Sequence, residues 1–142
     1  MTPSEVKHLL LSVGFPVTTI KLFVAQAAHE CGSIHFNSHV AQVDNNLTGI
    51  NFINKPSQIN ATMGSLKPAN EDSAHYAHFA TLMDWANDYK RILSFGAMPI
   101  MATTTEDLVS RLRRNNYFTD HEYAYKKGVN NWYNKLGDSL DV

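Results

Sequence analysis

Apolar residues recur at helical spacing along much of the chain. Ile20, Phe23, Val24, Ala27 and Cys31 make one stripe, and Leu82, Trp85, Ala86, Tyr89, Ile92 and Leu93 make another. Leu108, Val109 and Leu112 form a shorter stripe, and Tyr125, Val129, Trp132, Tyr133 and Leu136 a last one. Local punctuation frames these runs. Thr2 to Glu5 reads as a capping box opening a short helix through about Val13, which Gly14 ends. Pro16 stands where the next helix would begin and Gly32 where it would stop. Thr81 with Asp84 predicts a cap for the Leu82 helix, and Thr103 or Thr104 a cap for the one after it. The last helix is predicted to start at Thr119, with Glu122 three residues on and Phe118 stapled against Tyr123.

Between these helices the pattern changes. Segment 33–40 has room for a helical turn or two, and from Asn45 to about Ala74 no helical period survives. Asn, Gly, Pro and Ser are frequent there, which reads as loops with room for a short hairpin. Phe95 to Ala102, with Gly96 and Pro99, is a connector. The outline is two helices, an irregular lobe, then three helices, without repeat or linker, and residues 1–142 are expected to form a single domain.

Composition narrows the class. A hydrophobic fraction of 44% suits a globular chain, and a formal charge of -1 offers no broad attraction for nucleic acid or anionic membrane. The basic cluster Arg111, Arg113 and Arg114 reads as a solvated helix end. One cysteine, Cys31, excludes an internal disulfide framework and a multi-cysteine zinc site. The start Met1-Thr2-Pro3-Ser4-Glu5 lacks the basic and apolar features of a signal peptide, and no run of about 18 apolar residues predicts a membrane span.

Glu30 is the residue with the most pointed chemistry. It closes Ala27-Ala28-His29-Glu30 in the last turn of an apolar helix, on the flank of the stripe near Phe23, Gln26 and Ala27. Apolar neighbours and the negative end of the helix dipole both disfavour its charge. A carboxylic acid kept protonated near neutral pH is what glycosidic cleavage needs, because the leaving oxygen must receive a proton. A solvated glutamate at a helix end is the plainer reading of the same position.

Four blocks in order carry a resemblance. Ala25-Gln26-Ala27-Ala28-His29-Glu30 is followed by Asn45-Asn46-Leu47-Thr48-Gly49-Ile50, by Tyr76-x-x-Phe79 with Asp88-Tyr89, and by Asn116-Tyr117-Phe118-Thr119-Asp120-His121-Glu122-Tyr123. Together they resemble the signature of family 73 glycoside hydrolases, the peptidoglycan glucosaminidases of autolysins, flagellar-rod hydrolases and phage lysins. In that family the third block belongs to a helix. The resemblance implies a mainly helical, α+β, lysozyme-like fold whose helical lobe and short irregular or β lobe flank a glycan cleft. It makes Glu30 the general acid and gives Asn45, Asn46, Tyr117 and Tyr123 places in substrate binding. Side-chain amides can brace a turn or bond sugar hydroxyls, and a tyrosine offers a stacking face and a hydroxyl. Asp120 is expected to support a helix N-terminus rather than to react, and Asp88 and Tyr89 to be structural.

The chain also departs from the family. Cys31, Gly32 and Ser33 stand where the family has a small hydroxyl residue, glycine and often an aromatic. The irregular lobe is short and is expected to lack the acidic-tipped β-hairpin that supplies a second carboxylate. Between Glu30 and Asp84 the only acids are Asp44, Glu71 and Asp72. Glu71 or Asp72 could serve as the base that activates water, or be a solvated loop pair. The substrate's own N-acetyl group is an alternative nucleophile.

Rival chemistries are weaker. His35 and His39 have metal-ligand spacing and His29, His75 and His78 are further candidates, but no second histidine completes H-E-x-x-H after His29-Glu30, so neither metal nor organic cofactor is expected. A Cys31 thiolate would be disfavoured at a helix C-terminus. The expected function is hydrolysis of β-1,4 bonds in peptidoglycan glycan strands, as an endo-N-acetylglucosaminidase or a neighbouring muramidase. The non-enzymatic alternative is a glycan-binding or virion structural module. A wall substrate without an export signal fits a phage product, released with a lysis partner or carried on the particle.

Overall fold

Six α-helices and one antiparallel hairpin make up the regular structure of the computed structural model, which describes residues 1–68, 74–138 and 140. Helix α1 (Pro3–Ser12) opens on the expected capping box: Thr2 Oγ1 accepts from Glu5 N–H at 3.2 Å, and Glu5 Oε1 accepts from Thr2 N–H at 3.0 Å. Helix α2 (Ile20–Cys31) starts later than Pro16, because Val17, Thr18 and Thr19 are β-branched and form a turn whose last member is the N-cap. Gly32 ends it in the left-handed conformation, φ 77°, donating its N–H to Ala28 O at 2.8 Å.

A single apolar stripe understates the burial of α2. Every residue from Leu22 to Ala28 is buried, Gln26 included, so α2 is the central rod of the molecule. Helix α1 packs on one side of it and α6 (Glu122–Leu136) on another. Helices α4 (Leu82–Leu93) and α5 (Thr105–Arg114) begin on Thr81 and Thr104, whose hydroxyls accept from Asp84 N–H and Asp107 N–H. A 3₁₀ turn at Pro99–Met101 joins them.

Between α2 and α4 lies the smaller lobe. Helix α3 (His39–Asp44) is capped by Ser38, later along the chain than the turn expected at 33–40. Strands β1 (Ala61–Leu66) and β2 (His75–Phe79) pair antiparallel, Ala61 opposite Phe79 and Leu66 opposite His75, with a register irregularity between Met63 and Leu66. Lys67 N–H continues the pairing to Ala74 O at 2.9 Å. The pairing fits the short hairpin for which this stretch has room, while the expected lack of an acidic tip falls on Glu71 and Asp72. Both lie outside the described residues. Tyr76 and Phe79 are on β2 rather than on a helix, so only the Asp88-Tyr89 half of that block is helical.

The start of α6 also differs. His121, not Thr119, is the N-cap, and its Nδ1 accepts from Tyr123 N–H at 3.3 Å. With the helix beginning later, Phe118 stacks on Tyr125, ring centroids 4.1 Å apart, and Tyr123 is left 64% exposed. No helix among the described residues is long and apolar enough to cross a membrane.

Candidate active site

Glu30 occupies the last turn of α2, where the rod leaves the core. Its side chain is half-buried, and its Oε1 accepts a hydrogen bond from the Tyr125 hydroxyl of α6. Burial pushes the carboxyl up to about 7, against the opposing pull of the Tyr125 bond. Glu30 therefore holds its proton through the mildly acidic range and exchanges it near neutrality.

Three phenols feel the charge of this carboxyl. Tyr89 from α4, Tyr117 from the segment between α5 and α6, and Tyr125 are all pushed well above their usual 10, first by burial and then by the nearby Glu30 charge. Tyr117 is delivered by the end of α5. Asn116 turns left-handed at φ 55°, and Tyr117 N–H then closes on Leu112 O at 3.0 Å. Tyr125 is wedged between the Phe118 face and the edge of His29, whose centroid is 4.6 Å away. Burial also pushes His29 below its usual 6.5, opposed by Asp120.

The Asn45-Asn46-Leu47-Thr48-Gly49-Ile50 block is a brace between lobes. Asn46 is 1% exposed; its Nδ2 donates to Ile50 O and Ala77 O, each at 2.9 Å, and its Oδ1 accepts from Ile50 N–H. Both amide hydrogens are thus committed inside the protein. Thr48 Oγ1 accepts from Trp85 Nε1 at 3.0 Å, tying the block to α4. Asn45, left-handed at φ 52° and half-buried, donates one N–H to Phe79 O at 2.8 Å. Tyr123 has no link to Glu30; it lines a groove of about 360 Å³ with Val109, Ser110 and Lys126.

The remaining sequence candidates sit elsewhere. Asp88 is buried against Arg91 and Gln58. Asp120 accepts from His121 N–H at 2.8 Å, at the start of α6. Cys31 Sγ lies 3.3 Å from Ser38 Oγ. His75 bonds Gly64 O and His78 bonds Asp44, both within the smaller lobe. No group of three or more potential metal ligands gathers among the described residues. Sequence reasoning missed Tyr125 as the partner of Glu30 and placed it in the apolar stripe. The available signal was chemical: a buried tyrosine hydroxyl must find a polar partner.

Comparison with known proteins gives this geometry a setting. No curated protein matches the chain. Among solved structures it is similar to the catalytic domain of the autolysin Auto from Listeria monocytogenes, with a TM-score of 0.57 and 17% identity, covering 94% of this chain and 78% of that one. That likeness establishes a shared fold. The model of the glucosaminidase family, described as mannosyl-glycoprotein endo-beta-N-acetylglucosaminidase, matches residues 16–137, a span that runs from the approach to α2 through the end of α6 and takes in Glu30, the Asn45–Ile50 brace and Tyr117. With most of its length and the whole of this site inside that match, the chain belongs to the glucosaminidase family of glycoside hydrolases.

Proposed function

We propose that the protein cleaves β-1,4 links in the glycan strands of bacterial peptidoglycan as an endo-N-acetylglucosaminidase, with Glu30 as general acid. The observation that carries this reading is a half-buried carboxyl held near pKa 7 at the end of the central helix. A group of that pKa can be protonated at working pH and still release its proton to the glycosidic oxygen as the bond to C1 breaks. The family's N-acetylglucosaminide chemistry suits either glycan, and a fold neighbour that is an autolysin favours the wall over the mannosyl-glycoprotein of the family description.

Tyr117, close enough to feel the Glu30 charge, is suited to hold the sugar whose oxygen is protonated. Asn45 keeps an amide hydrogen and its carbonyl oxygen for a glycan hydroxyl, and exposed Tyr123 offers an outer stacking face. The water-activating base is drawn from Glu71 or Asp72, which belong to the connection of the β1–β2 hairpin. A second carboxylate beside the acid is what glycoside hydrolysis ordinarily uses.

Incubation with purified peptidoglycan and mass spectrometry of the soluble products tests this. N-acetylglucosamine at the new reducing end is expected. N-acetylmuramic acid there would make the enzyme a muramidase, and release from a high-mannose glycoprotein but not from walls would overturn the substrate. Co-sedimentation without cleavage would overturn the activity itself.

A further inference from the structure

A string of hydrogen bonds through the core ends on the acid, and it has a direction. Gln26 stands one helical turn before Glu30 and shares its face of α2. It is fully buried. Its Oε1 accepts from the Tyr89 hydroxyl, which also lies 3.3 Å from the more distant acceptor Phe23 O, and its Nε2 donates to the Tyr125 hydroxyl at 3.4 Å. A phenol has one proton to give, and an amide N–H accepts nothing. The Tyr125 proton is therefore left for Glu30 Oε1. That oxygen is held as an acceptor, so the hydrogen of the neutral carboxyl belongs on Oε2. No hydrogen bond to Oε2 exists among the described residues, and it is not among the buried unpaired atoms, so it is not fully enclosed. Stacking on Phe118 and the edge contact with His29 keep the Tyr125 ring from turning away.

We propose that Tyr125, oriented by Gln26 and Tyr89, is a positioning residue that keeps the Glu30 proton on Oε2, the oxygen left for substrate. This rests on Glu30 being the general acid. The groups facing Glu30 are Tyr89 from α4, Tyr117 from the α5–α6 segment and Tyr125 from α6, all neutral through the working range. His29, next along α2, is pushed down by burial and titrates on the acid side. The alkaline limb of the rate profile then reports Glu30 alone among these groups.

The test is Tyr125→Phe, which removes one oxygen and keeps the ring stack. Two quantities are followed: kcat/KM against pH on solubilised glycan strands, and the Glu30 carboxyl titration by carbon NMR. Losing a donor to the carboxylate is expected to move both the alkaline limb and the titration upward by about one pH unit. At the optimum kcat is expected to fall about threefold or more as the proton loses its fixed site. An unmoved limb and titration overturn the proposal, as does a downward move, which would mean that Glu30 donates to Tyr125.

Glu30→Gln separates the two readings. Wild-type turnover in that variant sinks the general acid itself; an inactive Glu30→Gln beside an unmoved Tyr125→Phe sinks only the positioning role. Should Tyr125→Phe fold poorly, 3-fluorotyrosine at position 125 keeps ring and hydroxyl and strengthens the donor. The limb and titration are then expected to move downward, and no movement overturns the proposal.

Discussion

Gly128 of α6 and His29 of α2 share one place at the crossing of the two helices. A Cβ at position 128 would fall inside the van der Waals envelope of His29 Cε1 and Nδ1. A glycine inside a helix costs about 1 kcal/mol relative to alanine, and here it makes room for a ring that also supports Tyr125.

Gly128→Ala is therefore expected to destabilise the protein by about 1 kcal/mol or more, overpacking outweighing the gain in helix propensity. The double variant with His29→Ala should recover that loss. A thermal double-mutant cycle measures the coupling, and a Gly128→Ala protein melting above wild type would disprove the crowding.

Glu30 is expected to work against stability as well as for catalysis. It titrates near 7 in the fold and near 4.5 when unperturbed, so the folded state binds its proton more tightly. The stability it contributes is intact below pH 4.5, declines as pH rises and is fully lost above 7, by up to about 3 kcal/mol. Glu30→Gln should abolish turnover, melt like wild type near pH 4 and melt higher than wild type at pH 8. Equal melting of the two proteins at pH 8 would show that the carboxyl is not held neutral.

Asp44 anchors the hairpin from beneath. Its Oδ2 accepts from Ser65 N–H at 3.1 Å and its Oδ1 contacts His78 Nδ1 at 2.9 Å, across the irregular stretch of β1. Burial acts to raise its pKa and is outweighed by the Ser65 and His78 bonds, which leave it lowered. Its contribution is thus present above the ordinary 3.8 and lost as pH falls through the lower folded value. Asp44→Ala should speed hydrogen exchange at Ser65 by about 10-fold or more, while exchange in α2 stays slow. Unchanged exchange at Ser65 would show that the strand is held by its neighbours alone.

Glu71→Gln and Asp72→Asn, made separately, should differ sharply. The base is expected to cost about 100-fold in kcat when neutralised, and its neighbour less than about twofold. If both variants keep wild-type rates, the substrate's N-acetyl group takes the role.

What could be read from the sequence tracks how local the signal is. Thr2, Thr81 and Thr104 cap helices through bonds to residues three further on, so the chain itself records them. At α6 the cap is a histidine nitrogen, outside the usual Ser, Thr, Asp and Asn vocabulary, and the start was misplaced by two residues. Strand β1 was faint because its register breaks between Met63 and Leu66, where alternation should have marked it. Glu30 stood out through its motif and apolar helix. Tyr125 did not, because a contact between residues 95 positions apart leaves no local trace.

The buried Gln26 sets a limit on engineering this molecule. An amide and two phenol hydroxyls in a core are groups that matched apolar side chains could replace at little or no loss of stability. A search for heat-resistant variants that scores melting alone would be drawn to Gln26, Tyr89 and Tyr125. Hardening the interior there would yield a durable protein with a misdirected proton, so selection for robustness in this fold has to be run with turnover as a second criterion.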